Sequence, residues 1–155
     1  KIHGGLISLG SDINYLQTTL SALIQSHTGK FHISNQVSFG KTITDEFDKY
    51  PLSMQYYLGA PSSLRGLSYH EVNEVKHFFL TRNSVTSCVS PNIRLGVFYD
   101  NGYCTKDAQH TYYPATGVLA TYHTDYGKFE FSVGKLVDND KWVTLFNAEP
   151  GADLL

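Results

Sequence analysis

The sequence predicts an all-β fold: an antiparallel sheet of about seven or eight strands, of the kind that closes into a barrel across a membrane. Three observations carry that expectation. Apolar and polar residues alternate with period two along most of the chain. Charged residues make up only 17% of it while aromatic residues reach 14%, where roughly 25% charged is usual for soluble domains. Short and long connections also alternate between the candidate strands.

The strands follow in order. Gly5 to Ile13 is the first candidate. In Leu16 to Gln25, Leu16, Thr18, Leu20, Ala22 and Ile24 share one face, opposite Gln17, Thr19, Ser21, Leu23 and Gln25. Phe31, Ile33, Val37 and Phe39 alternate with His32, Ser34, Gln36 and Ser38. Lys76 to Thr86 is the next. Ile93, Leu95, Val97 and Tyr99 then alternate with Arg94, Gly96, Phe98 and Asp100. Thr116 to Thr124 precedes a strand in which Phe129, Phe131 and Val133 alternate with Glu130, Ser132 and Gly134, and Trp142 to Phe146 is a further candidate. Successive strand side chains point to opposite faces, so each segment has an apolar and a polar side. No helical spacing is sustained. Residues 1–147 are therefore expected to form the β-structure, with 148–155 as a C-terminal tail.

Ser26–Lys30, Ser87–Asn92 and Asp125–Lys128 read as tight turns; Gly40 to about Val75 and Thr105–Ala115 read as long loops. Tight turns at one end and long loops at the other fit an outer-membrane barrel. A soluble sandwich with half-buried sheets gives the same alternation. The net charge of −2 has no polybasic block, which argues against nucleic acid as a partner. No run of about 18 apolar residues exists, so a membrane helix is not expected. The chain begins at Lys1 without an initiator Met or a signal-peptide pattern and is read as a mature or excised piece. Cys88 and Cys104 are too few for a disulfide framework and would lie at opposite ends of one hairpin. The seven histidines lack metal-ligand spacing, and no serine sits in a nucleophile elbow. No catalytic residue, metal or cofactor is assigned.

One segment breaks the alternation. "YLGAPSSLRGLSY", Tyr57 to Tyr69, places the lone cation Arg65 among Leu58, Leu64 and Leu67. On the polar face of a later strand stand Phe98, Asp100 and Gly102, an F-x-D-x-G spacing. If the long loop folds inward, Arg65 can reach Asp100, and a guanidinium and a carboxylate away from water form a bidentate pair. Gly66 would allow the backbones to approach. The alternative is that Asp100-Asn101-Gly102 marks a hairpin turn, since Asn-Gly is a strong turn signal. Tyr56, Tyr57, Tyr112, Tyr113, Tyr122 and Tyr126 fit either a membrane-interface girdle or ordinary sheet aromatics.

These residues, in this order, resemble the outer-membrane insertase and two-partner secretion superfamily, the BamA- and TpsB-type barrels. Leu58-Gly59-Ala60 resembles its Gly-Gly element, Leu64-Arg65-Gly66-Leu67 its Val/Leu-Arg-Gly-aromatic motif, and Phe98 to Gly102 its F-x-D-x-G. "NQVSFG" (Asn35 to Gly40), "TRNS" (Thr81 to Ser84) and "TGVLATY" (Thr116 to Tyr122) are closer to the secretion branch. Ala60, Leu67 and Ser84 depart from the pattern, standing where a glycine, an aromatic residue and a glutamate would be. The resemblance implies the C-terminal half of a larger transmembrane barrel, with the loop 40–75 folded into the lumen. Gly59, Leu64, Arg65 and Gly66 would form the lumen loop motif, and Phe98, Asp100 and Gly102 its partner on the wall. It further implies a bacterial outer-membrane pore that exports a partner polypeptide. The partners would be that polypeptide, outer-membrane lipid, the remaining barrel strands and periplasmic POTRA domains. An insertase barrel, or a soluble β-sandwich binding module, is the alternative.

Overall fold

A computed structural model describes residues 2–5 by their backbone, and residues 15–44, 47, 51, 55–106 and 109–150 in full. Ten strands are present among the described residues: β1 (Ile2–Gly5), β2 (Tyr15–Thr28), β3 (Phe31–Thr44), β4 (Tyr56–Leu58), β5 (Val72–Val75), β6 (His77–Ser90), β7 (Ile93–Lys106), β8 (Gln109–Thr124), β9 (Gly127–Leu136) and β10 (Val143–Pro150). Eight form a single antiparallel sheet in the order β1-β2-β3-β6-β7-β8-β9-β10, while β4 and β5 pair separately. The sheet curls into a half-barrel. No α-helix occurs among the described residues.

The alternation emerges as two distinct faces. Rows of register partners cross the sheet: Ile33, Val85, Val97, Val118 and Val133 form one on the convex side. Leu20, Phe39, Phe79, Tyr103 and Tyr112 form another. Ile93, Tyr122 and Phe129 form a third. Most of these side chains are exposed, Val97 by 57% and Leu20 by 62%. Between the apolar rows lie Asn83 and Asn101, whose amides donate to the Tyr99 carbonyl at 2.9 Å and the Thr81 hydroxyl at 3.1 Å. The concave face is polar toward the tight turns and apolar toward the opposite end.

That apolar end is the core. Leu58, Leu64, Leu67 and Val75 from the segment between β3 and β6 bury themselves against Leu80, Cys104 and Ala115 of the wall, with Tyr56, Phe78 and Tyr113 packed around them. The leucines that looked out of place in a loop are the molecule's interior. Tyr56 also donates to the Thr18 carbonyl at 2.7 Å, tying the segment to β2.

Several boundaries differ from the sequence reading. The connection read as a long loop over Thr105–Ala115 is strand: β7 runs to Lys106 and β8 resumes at Gln109. Pro114 lies inside β8 and is tolerated there. Its carbonyl accepts from the Val137 amide at 2.8 Å, one residue past the end of β9. Its missing donor therefore faces the end of the β9 ladder, where little pairing is lost. Asp100-Asn101-Gly102 is no turn; it lies in the middle of β7. The strand at Trp142–Phe146 is real, displaced to Val143–Pro150, and pairs with β9 along its full length; positions 148–150, read as tail, belong to it. Of the candidate strand Gly5–Ile13, residues 6–13 lie outside the described residues, and the backbone shows β1 at Ile2–Gly5 instead. Of the six tyrosines, Tyr112 and Tyr122 face outward, whereas Tyr56 and Tyr113 pack on the core.

Cys88 is exposed and Cys104 buried, and both are free. Cys88 should therefore label with a maleimide in the folded chain, and Cys104 only after unfolding. Equal labelling rates, or an intrachain disulfide seen by mass spectrometry, would contradict the β6–β7 register.

Candidate functional site

The site is built by β7, whose concave residues alternate as Phe98, Asp100 and Gly102, and by the segment that lies over them. Arg65 is 3% exposed and Asp100 fully buried. The arginine donates from Nε to Asp100 Oδ2 at 2.8 Å and from Nη2 to Oδ1 at 2.7 Å, a two-pronged contact that lysine could not reproduce. The Arg65 amide approaches the same carboxylate at 3.3 Å, and the Asn83 amide donates to it at 3.2 Å. The guanidinium carbon stands 4.2 Å from the centre of the Phe98 ring. A desolvated cation over an aromatic face is favourable by about 2 kcal/mol.

Each flanking motif residue has a steric role. Phe98 lies over Gly117 and Gly134, its register neighbours on β8 and β9. A Cβ on Gly134 would stand 2.4 Å from the ring and one on Gly117 would stand 2.7 Å from it. Gly102 leaves space for Leu64, whose Cδ2 would be 2.9 Å from an added Cβ. Gly66 has φ +104 and sits so close to the wall that an added Cβ would stand 2.9 Å from the Ala115 Cβ and 3.0 Å from the Lys135 backbone. Gly59 has φ +97 and meets the Ser68 carbonyl. The structure thus brings Gly59, Leu64, Arg65, Gly66, Phe98, Asp100 and Gly102 into one cluster. Ala60 and Leu67 are both buried at 2% exposure, and Leu67 is part of the core.

A second carboxylate enters from β9. Glu130 Oε1 lies 3.5 Å from Arg65 Nη1 and 3.5 Å from Arg82 Nη2, and its Oε2 lies 3.4 Å from Lys128 Nζ. Asp100 aligns with Ala115 and Leu136, so in a flat sheet Glu130 would be roughly 20 Å from Asp100. One guanidinium touches both because the sheet curls. The alternation placed Glu130 on the polar face, but its contact with Arg65 depends on that curvature, which no local pattern reveals. Arg82 was visible only as part of "TRNS". No protein-family model and no curated protein matches this chain.

Breaking a buried ion pair leaves an uncompensated charge and costs about 3–5 kcal/mol. Arg65→Ala and Asp100→Ala should each destabilise the chain on that scale in denaturant unfolding followed by circular dichroism. The double variant should fall short of the summed losses by about 0.5–3 kcal/mol; strict additivity would mean that the loop braces nothing. Gly66→Ala should cost about 1–3 kcal/mol through its positive φ and its contact with β8 and β9, measured in the same way.

Proposed function

We propose that the chain is the barrel portion of an outer-membrane transporter that exports a partner polypeptide, of the two-partner secretion type. One observation carries the reading: a segment locked by Arg65 to Asp100 lines the concave side of a single-layer sheet whose other side is apolar and uncovered. A soluble protein would be expected to cover such a face, because contiguous exposed apolar surface drives association. In a bilayer that face needs no cover. On β7, the rows containing Ile93 and Tyr103 are ten residues apart, about 33 Å along the strand. With a strand tilt of 35–45° this becomes a height of about 25 Å, the usual apolar band of such barrels. The Asn83 and Asn101 amides within that band already have partners, as a low-dielectric surround requires.

No bond-making step belongs to this role. The lock would hold the inward segment against the wall and set how much of the lumen is free for a passing chain. The sequence motifs favour secretion over membrane-protein assembly, and the inward segment would serve either.

Val97→Arg should destabilise the protein by about 2–4 kcal/mol when folded into phospholipid bilayers, read by urea titration. A wild-type chain that is a compact, soluble monomer without detergent would overturn the membrane reading.

A further inference from the structure

We propose that the turn-proximal half of the concave face is a binding site for an oxyanion, centred on Arg94. This does not depend on the proposed transport role. A cavity of about 300 Å³ occupies that half, walled by Leu23 and Leu119 and lined by four cations, Arg65, Arg82, Arg94 and Lys128. Their partners are unevenly shared. Asp100 takes Arg65 in a fork; Glu130 is divided among Arg65, Arg82 and Lys128; Glu149 lies 3.6 Å from Lys128. Arg94 has no carboxylate partner among the described residues. Arg82 also has a buried Nε without a hydrogen-bond acceptor.

The groups nearest Arg94 add positive potential. His32 on β3 lines this cavity together with His27 on β2, Arg94 on β7, His123 on β8 and Lys128 on β9. His27 and His32 stack with ring centres 4.5 Å apart. The opposing charges facing this group are Glu130 on β9 and Glu149 on β10, both already engaged by Lys128. A guanidinium presents several donors in one plane, which suits the geometry of sulfate, phosphate or carboxylate oxygens. Each imidazole, once protonated, can add a charge-assisted donor. The site is therefore matched to an anion with several oxygens and should tighten as the pH falls.

Sulfate is a suitable probe because its own charge is constant across this range. In NMR titrations of the full chain, sulfate should cause saturable shifts of the His32 and His123 imidazole signals. Affinity should rise as the pH is lowered from about 8 to about 5.5, because the imidazoles gain charge while sulfate does not. Arg94→Ala should abolish the shifts, Arg94→Lys should retain part of them, and Lys141→Ala, at the other end of the sheet, should change nothing. A short oligoglutamate peptide competing with sulfate would assign the site to carboxylates of a polypeptide; failure to compete would assign it to small inorganic oxyanions. Absence of saturation with sulfate, or equal shifts in wild type and Arg94→Ala, would overturn the proposal. Circular dichroism of each variant verifies that it is folded.

Discussion

The contact between Arg65 and Asp100 organises the concave side of the molecule. Burying an arginine and an aspartate removes both from water, a cost that only good geometry offsets. Here the fork satisfies both carboxylate oxygens, the Phe98 face supports the guanidinium, and two backbone amides complete the Asp100 shell. The pair stands at the boundary between an apolar half of the concave face and a polar half. On one side Leu58, Leu64 and Leu67 exclude water; on the other Glu130 begins a line of charges that continues through Lys128 to Glu149. Moving the arginine would open the core and unbalance the groove together.

The arrangement reverses the usual relation of sheet and core. A one-layer sheet normally buries its apolar face and wets its polar one. Here the sheet's own buried apolar residues, Leu80, Cys104 and Ala115 among them, lie on the concave side, and the interior is completed by a connection that folds back onto that face. The segment reaches β2 through Tyr56, β7 through Arg65 and Leu64, and β8 and β9 through Gly66. It therefore spans most of the width of the sheet. Curvature and loop depend on each other: the curl brings Glu130 to Arg65, and the ion pairs hold strands that a flat sheet would keep apart.

Much of this was legible in the sequence, for reasons of range. Period-two alternation is local, so strands and faces could be read directly, and the three tight turns followed from it. The partnership of Arg65 with Asp100 was inferable because both stood out, one as a lone cation among leucines and the other inside a spaced motif. What escaped depended on relations between strands. Thr105–Ala115 reads as a loop because its strand character rests on pairing with a neighbour, and Pro114 is harmless there only because of where β9 ends. Asn101-Gly102 mimicked a turn because local turn chemistry cannot register a strand's neighbours. Glu130 could be placed on a face but not beside Arg65, since that requires the sheet's curvature.

The glycines show how curvature is written into the strands. Gly40, Gly96, Gly102, Gly117 and Gly134 all lie inside strands and all occupy the concave parity. Inside a curl, side chains converge, and on the outside they diverge; omitting Cβ relieves crowding only on the inner face. The vacated spaces are used. The Phe78 ring lies where a Cβ on Gly40 would be, Phe98 covers Gly117 and Gly134, and Leu64 fills the space at Gly102. Large inward side chains thus alternate with glycines across neighbouring strands, as an interior at ordinary packing density requires. The same glycines that weaken each strand in isolation let the sheet bend around its loop, so the residues that look least suited to β-structure fix the direction in which it curls.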